Sequence, residues 1–232
     1  MSSVVKGIPP LFKNSTFENF IVNDQNRNVF LKCVEYASNP HGFLTITGTT
    51  GSGKTHLAAA ITKGIPPVEL SKEQKIIKEK EIKFRINHYE NSNNESDQQH
   101  YGNLLNYYHS NRWRFRASNI FFISTIRFLF ELNNSLTVKK GNAISTLEYL
   151  TDVLRHDCII LDDFGSEKLS DAARKNLFFI IDECYVNNKS LIVTSNNTIA
   201  EINNLEPRIA SRLSSGQVLY LNAGDYRMKI KI

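Results

Sequence analysis

The stretch Gly48-Thr49-Thr50-Gly51-Ser52-Gly53-Lys54-Thr55 decides the fold, because it matches the phosphate-loop pattern G-x-x-x-x-G-K-[ST]. An apolar, β-branched run at 43–47 precedes it and a helical run at 56–61 follows, which is the order of strand, loop and helix that phosphate binding needs. Glycines let the backbone curl so that its N–H groups point at a phosphate chain, beside the partial positive charge of the helix start. The loop residues predicted to bind phosphate are Gly48, Thr50, Gly51, Ser52 and Gly53.

The last two residues of the motif carry its charge chemistry. We predict that the Lys54 ammonium lies on the β- and γ-phosphates of a nucleotide and that the Thr55 hydroxyl binds Mg²⁺. The alternative is a glycine-rich turn that matches the pattern by chance, and the flanking strand and helix argue against it.

Length and composition describe one large α/β domain, alone or with a small appendage. The chain has 232 residues, of which 41% are hydrophobic and 22% charged. No run approaches the roughly 18 apolar residues of a membrane span, and the N-terminus lacks the apolar segment of a signal peptide, so we expect a cytoplasmic protein with no membrane partner. The three cysteines lie far apart without C-x-x-C spacing, so neither a zinc module nor a disulfide framework is indicated and buried thiols are predicted. The net charge of +5 is compatible with a nucleic-acid partner.

A second candidate site follows the apolar run at 158–161, which ends in Asp162 and Asp163. Such a run is typical of a buried parallel strand that delivers its acids to the carboxyl edge of a sheet, where α/β folds bind ligands. Behind a phosphate loop, the first acid can hold Mg²⁺ through its waters and the second can orient or deprotonate an attacking water. An acidic pair can also cap a helix, but its combination with the phosphate loop favours the functional interpretation.

Two more polar positions are candidates. The next apolar strand ends at Asn196, whose amide can hold the attacking water or sense the γ-phosphate, unless it simply forms an Asx turn. Arg208 and Arg212 share one face of a short predicted helix, and no strand delivers them to the phosphates of their own subunit. We therefore predict that they reach the nucleotide of a neighbouring subunit, as arginine fingers do.

Periodicity predicts the remaining elements. Helices are expected after Asp24 and over about 71–91, 125–132, 144–154 and 170–185, with a break at 133–135 and a last strand at 218–221. The segment from 64 to 117 changes character, is polar over 91–100, and is predicted to be an insertion on the surface.

Two aromatic features each have two interpretations. Phe17 and Phe20 could contact a nucleotide base or fill the core. The alternation of basic and aromatic residues at 112–116 could grip nucleic acid, but we favour a half-buried strand that extends into the apolar run at 120–123.

The order of these strands and site motifs resembles that of an AAA+ ATPase. The short sequence motifs resemble those of the helicase loaders of the DnaC/DnaI type and their relative, the IstB transposition helper. The resemblance covers about residues 8–63 and 118–228. The stretches that carry it are 8–10 with 16–20, 53–61, Leu161-Asp162-Asp163-Phe164-Gly165, Thr194-Ser195-Asn196, 208–213 and Asp225-Tyr226-Arg227.

The resemblance implies a P-loop NTPase fold, a three-layer α/β/α sandwich around a central parallel five-stranded sheet, with the lid domain reduced or absent. It implies an N-terminal extension and helix over 1–41, an AAA+ domain over 42–228 that carries the insertion at about 64–117, and a tail at 229–232.

The same resemblance assigns roles and partners. ATP and Mg²⁺ would be the cofactors, Asp162 the acid on the magnesium side, Asp163 the replacement for a catalytic Glu, and Asn196 the residue called sensor 1. Arg212 would be the finger that acts in trans, and Arg227 a substitute for sensor 2. The implied partners are a replicative hexameric DNA helicase, single-stranded DNA and further copies of the chain in a spiral.

The chain departs from these loaders in three places. Few residues precede the Ile-Pro-Pro element where loaders carry a helicase-gripping module. Asn133-Asn134 replaces a basic DNA contact, so that DNA binding there would depend on Arg127, Lys139 or Lys140. The insertion could be a substitute partner-binding element or a tolerated loop. The sequence predicts a helicase loader, with an IstB-like transposition helper or a nucleotide-binding adaptor with little hydrolysis as alternatives.

Overall fold

The computed structural model describes residues 3–90, 94–137, 146–165 and 170–226. The strands, in chain order, are β1 (Val4–Lys6), β2 (Phe43–Gly48), β3 (Val68–Glu69), β4 (Phe115–Arg116), β5 (Asn119–Ser124), β6 (Cys158–Phe164), β7 (Ser190–Ser195) and β8 (Gln217–Leu221). The helices are α1 (Arg27–Ser38), α2 (Lys54–Gly64), α3 (Lys72–Glu90), α4 (Glu95–His109), α5 (Thr125–Thr137), α6 (Thr146–Leu154), α7 (Asp171–Val186), α8 (Ile199–Leu205) and α9 (Pro207–Leu213). Contacts divide the described residues into a larger unit, 3–66 with 119–226, and a smaller unit, 67–118.

The larger unit is built on a parallel six-stranded sheet in the order β1-β5-β6-β7-β2-β8. Every residue of β2 and β7 is buried, as expected of strands that helices cover on both faces. The predicted α/β fold is confirmed, but the prediction of five strands is wrong by one. The additional strand is the short edge strand β1, which pairs with β5. Three residues are too few to show the alternation of apolar and polar residues that predicts a strand.

Two apolar clusters cover the two faces of this sheet and make it the middle layer of a three-layer sandwich. On one face lie α1 and α2, which contribute Cys33, Leu57 and Ile61. On the other lie α5, α6, α7, α8 and α9, with Phe128 and Leu177 among their buried residues. Successive residues of β6 alternate between the two clusters, as the pleat of a strand requires.

One helix of the larger unit runs further than predicted. The expected break at 133–135 is wrong, because α5 continues to Thr137. Phe128 and Leu132 are fully buried and hold the apolar stripe of the helix against the sheet. The asparagines that follow cost well under about 1 kcal/mol each in helix propensity, so packing prevails over propensity.

The smaller unit is a pair of helices beside a two-stranded antiparallel ribbon. The predicted helix at 71–91 is present as α3, whereas α4 replaces most of the stretch expected to be merely polar; Asn94 caps it by accepting a hydrogen bond from the Ser96 N–H at 2.9 Å. Tyr108 links the two helices by donating to Glu79 at 3.0 Å. This unit overlaps the predicted insertion at about 64–117, and the predicted domain boundaries stay a prediction.

The predicted strand at 112–116 is mostly wrong. Arg112–Arg114 form a 3-10 turn, and the two residues of β4 pair with β3 instead of extending into β5. Three of the five alternating residues therefore lie outside any strand. All three cysteines are free and buried, as predicted. Among the described residues, no helix combines the length and the apolar character that crossing a membrane requires.

Candidate functional site

The phosphate loop joins the buried strand β2 to α2, as predicted. Its backbone takes conformations that favour glycine, with φ of 74° at Gly51 and 99° at Gly53. A Cβ atom on Gly51 would lie 1.9 Å from Oδ1 of Asp225, and one on Gly53 would lie 2.8 Å from the ring of Phe20. Side chains at these two positions are therefore excluded by conformation and by space.

Lys54 is the buried charge at the start of α2, with 7% of its surface exposed. Its ammonium donates to the carbonyl oxygens of Gly48 and Thr49 at 2.9 and 2.7 Å and to Oδ1 of Asn196 at 2.8 Å. A buried cation needs such acceptors to offset its lost hydration. The Lys54 ammonium thus lies between the ends of β2 and β7, at the edge of the sheet where its contact with phosphate is predicted.

Ser52 tests whether a phosphate fits the loop. Its hydroxyl is fully buried, and within the described part of the chain it has no hydrogen-bond partner. Buried hydroxyl groups are nearly always paired in native proteins, so an oxygen acceptor from a ligand is the natural partner here. Together with the open backbone of the glycine loop and the Lys54 ammonium, this hydroxyl fits the phosphate chain of a nucleotide.

Asp162 is a buried carboxylate at the carboxyl end of β6, with 7% of its surface exposed. The Thr55 hydroxyl lies 3.0 and 3.2 Å from its two oxygens, and the Thr194 hydroxyl donates to Oδ1 at 2.6 Å. Burial raises the pKa of Asp162, against the opposing effects of both hydroxyls and of Lys54. A hydroxyl and a carboxylate at one point are hard oxygen donors, so Thr55 and Asp162 fit Mg²⁺.

The raised pKa of Asp162 predicts how stability depends on pH. Burial disfavours the charged form, so the free energy of unfolding falls as pH rises from the ordinary aspartate pKa through the raised value. The side chain of the variant Asp162→Asn does not ionise, so the variant should not lose this unfolding free energy as pH rises. Without nucleotide or Mg²⁺, its melting temperature should exceed that of the wild type at neutral pH. Thermal melts of both proteins across a pH series test this. A constant difference at every pH would contradict it.

A β-bulge places the second acid. Leu161 pairs with Val193, but Phe164 pairs with Ser195, so β6 carries one more residue than β7 between these pairs. Asp163 takes the strained φ of 57° there, and its carboxylate accepts from Nδ2 of Asn196 at 3.0 Å. The bulge thus turns the two successive acids to different partners, Asp162 toward Thr55 and Asp163 toward Asn196.

Thr194 is the residue at this site that the sequence did not single out. Its hydroxyl donates to Asp162 and accepts from the Asp163 N–H at 2.9 Å, so one buried oxygen supports both acids. A hydroxyl inside a run of apolar strand residues, two positions before Asn196, was the available signal.

Removing this hydroxyl should destabilise the protein. Thr194→Val keeps the shape of the side chain but leaves the Asp163 N–H without its acceptor, which should lower the free energy of unfolding by about 1–3 kcal/mol. Thr194→Ser is the matched control, because it retains the hydroxyl and loses a methyl group. Urea unfolding of the three proteins measures the effect. Equal losses in both variants would show that the two hydrogen bonds are unimportant.

The predicted arginines do not join this cluster. Arg212 donates from Nε to Asp182 on α7 and from Nη1 to the Arg208 carbonyl at 3.1 Å, and the contacts of its side chain with described residues lie on α7 and α9. Arg227 lies outside the described residues. Its neighbour Tyr226 reaches the phosphate loop, donating its backbone N–H to the Gly51 carbonyl at 3.0 Å.

The remaining predictions concern contacts with DNA and with a nucleotide base. Lys139 and Lys140 lie outside the described residues, and Arg127 is exposed and pairs with Glu131 at 2.8 Å. Phe20 is buried, with its ring 5.8 Å from that of Phe30 and 5.3 Å from that of His56. Of the two interpretations of Phe20, the structure favours core filling.

The fold and the site define a class of protein. A glycine loop after β2, an acidic pair near the carboxyl end of β6 and an asparagine after the adjacent β7 have the arrangement that P-loop AAA+ domains use for a nucleotide.

Comparison with known proteins leads to the same class. Residues 113–207 match the family model of the IstB-like ATP binding protein. The chromosomal replication initiator protein DnaA of Kosmotoga olearia is 24% identical over 227 residues, which are 97% of this chain and 40% of that protein. The chain thus spans about two fifths of the length of this curated relative.

Two solved structures share the fold. The DnaC helicase loader has a TM-score of 0.61 at 22% identity, over 93% of this chain and 100% of the other. The replication initiator DnaA bound to AMPPCP and single-stranded DNA has a TM-score of 0.62 at 20% identity, over 97% and 54%. These likenesses confirm the predicted resemblance to DnaC/IstB-like AAA+ ATPases.

Proposed function

We propose that this protein is an ATPase that loads a replicative hexameric DNA helicase onto single-stranded DNA when replication begins, and that ATP switches its assembly into a spiral. The observation that carries the proposal is the division of the predicted site. Lys54, Asp162 and Asn196 lie at one edge of the sheet, whereas the side chain of Arg212 contacts α7 and α9. A site divided in this way is complete only when a second subunit supplies the arginine.

The residues at the sheet edge have separate tasks in this proposal. Lys54 and the loop N–H groups bind the phosphates, and Ser52 donates its buried hydroxyl to them. Thr55 and Asp162 would hold Mg²⁺, which when bound neutralises phosphate charge. Asp163 accepts a proton from the attacking water, and Asn196 orients that carboxylate through its 3.0 Å hydrogen bond.

Hydrolysis is slow in a lone subunit and acts as a switch. Asn196 bonds both to the Lys54 ammonium and to Asp163, so one side chain connects the phosphate contact to the acid. Arg212 of a neighbour then stabilises the charge that develops on the transferred phosphoryl group. Assembly therefore controls turnover, and turnover releases the assembly.

The likeness to the DnaC helicase loader over the whole length of that structure supports helicase loading. The DnaA complex with single-stranded DNA supports a single-stranded nucleic-acid partner. The match to the IstB-like model favours a second candidate, a transposition helper that coats duplex DNA. Stable filaments on duplex DNA in the absence of a helicase would favour that candidate. Retained helicase loading by Asp163→Asn would instead favour an adaptor with little hydrolysis.

A pull-down of the resident helicase tests the proposal and the role of the smaller unit together. We propose that residues 42–228 form the AAA+ domain and that the insertion at about 64–117 grips the partner. Val68 pairs with Arg116, so removal of residues 68–115 leaves two neighbouring chain ends that a short glycine-serine link can join.

The intact protein with ATP should retain the helicase, and the deletion variant should lose it while still binding ATP. Failure of the intact protein to retain the helicase would argue against loading. Retention by the deletion variant would show that the insertion is a tolerated loop.

A further inference from the structure

The side chains of two arginines, Arg208 and Arg212, lie over the aromatic ring of Phe178 on α7. The guanidinium carbons of Arg208 and Arg212 lie 4.3 and 4.5 Å from the centroid of its ring. Both distances are within the range of a cation–π interaction, in which the electron-rich ring face attracts the cation. The ring is half-buried at the margin of the apolar core, so the core holds it in place while the guanidinium groups lie on it.

Each of these guanidinium groups is also held at its Nε end. Nε of Arg208 lies 2.8 Å from Oε1 of Glu206, and Nε of Arg212 donates to Oδ1 of Asp182. Arg212 is further fixed by the bond from Nη1 to the Arg208 carbonyl. Within the described residues, its Nη2 group makes no hydrogen bond, so the hydrogens of this one nitrogen are left for a ligand.

We propose that Phe178 and Asp182 form a platform that positions Arg212 for the phosphate chain of a neighbouring subunit's nucleotide. This inference rests on the proposed function, in which Arg212 acts in trans. An arginine is a flexible side chain, and ordering it during the reaction would slow catalysis. The platform orders it beforehand, which is how fixed donors lower a reaction barrier.

The bonding pattern favours positioning over sequestration. An acid that sequesters an arginine takes two of its N–H groups in a bidentate pair, which is the strong geometry for guanidinium and carboxylate. Asp182 accepts a single hydrogen bond, from Nε, and leaves Nη2 without one. The Arg208 side chain is 58% exposed and the Arg212 side chain 24%, so the second arginine is the more firmly held of the two.

Mixed subunits separate the donor of the finger from the subunit that hydrolyses ATP. The donor carries Asp163→Asn, which should bind ATP and assemble but not hydrolyse ATP, and which retains Arg212. The acceptor carries Arg212→Ala, which binds ATP but lacks the finger. Neither should hydrolyse ATP alone, and the mixture should regain activity. If the mixture stays inactive, the trans finger itself is wrong, and that result is distinct from a failure of the platform.

Phe178→Leu added to the donor tests the platform. We expect the regained rate to fall at least about fivefold, the size of a moderate cation–π interaction, while Phe178→Tyr on the donor keeps the rate within about twofold because its ring has a similar face. An undiminished rate with the leucine donor would overturn the proposal. An equal loss when Phe178→Leu is placed on the acceptor, which has no Arg212 to position, would also overturn it and assign Phe178 to folding.

Asp182→Asn on the donor tests the second member of the platform. The variant keeps an oxygen acceptor but removes the charge that holds Nε, so the regained rate should fall about threefold or more. A rate that rises would overturn the proposal, because it would mean that Asp182 holds Arg212 away from its target. Measuring kcat and KM separately sharpens the test, since a positioning role lowers kcat and leaves KM for ATP unchanged.

Discussion

Replacing Lys54 by alanine is expected to abolish ATP binding, with an affinity loss of at least about 100-fold. The ammonium is buried among the ends of β2 and β7, where little water weakens its attraction to a phosphate. Truncating one partner of such a buried charge pair costs about 2–5 kcal/mol, because the other charge is left without its counterion. The remaining backbone N–H groups of the loop cannot replace a full positive charge.

Isothermal titration with ATP and Mg²⁺ measures this loss. Lys63→Ala is the matched control, because it removes the same charge from an exposed position in the last turn of the same helix. The control should bind as the wild type does. Lys54→Ala also removes hydrogen bonds to Gly48, Thr49 and Asn196, so a melting curve must accompany it. Normal nucleotide affinity in a folded Lys54→Ala protein would refute the phosphate-loop assignment.

The centre of the fold could be predicted because its signals are local. The phosphate loop is one continuous segment whose glycines, lysine and threonine have fixed spacing, and β6 begins with an unbroken apolar run that leads to the acidic pair. Parallel strands bring their carboxyl ends to one edge, so Asp162 and Asn196 could be placed near Lys54 without coordinates. The structure joins Asn196 to Lys54 and to Asp163 by hydrogen bonds, and it joins Asp162 to Thr55.

The parts that could not be predicted depend on distant neighbours. The strand β1 exists because β5 offers it an edge, and α5 passes the expected break because Phe128 and Leu132 anchor it. The role of Thr194 arises from the bulge in β6, since only the unequal register turns Asp162 and the Asp163 N–H toward the same hydroxyl. No periodicity in either strand reports a one-residue offset between them.

The arginine pair illustrates the same limit. Spacing placed Arg208 and Arg212 on one helix face, but Phe178 and Asp182 come from another helix, which no local pattern connects to them. The sequence therefore identified the two arginines, and the structure identified the side chains that hold them.

Replacing Arg212 by alanine is expected to lower DNA-stimulated ATP hydrolysis about 1000-fold while leaving ATP binding intact. A finger supplied in trans stabilises charge that exists only in the transition state, and its loss typically costs 10³-fold or more in kcat. The KM for ATP should stay unchanged, because the side chain of Arg212 contacts α7 and α9 and does not contact the phosphate loop of its own chain.

Stability should change little in this variant, which keeps the kinetic result interpretable. The ion pair with Asp182 is partly exposed, with side-chain exposures of 24% and 33%, so its loss costs at most about 1 kcal/mol. Arg155→Ala, which removes an exposed arginine from the same unit, controls for the change in net charge. Steady-state hydrolysis with and without single-stranded DNA distinguishes the outcomes. Unchanged turnover in Arg212→Ala would mean that each subunit completes its own site, and the spiral would then lose its role in controlling hydrolysis.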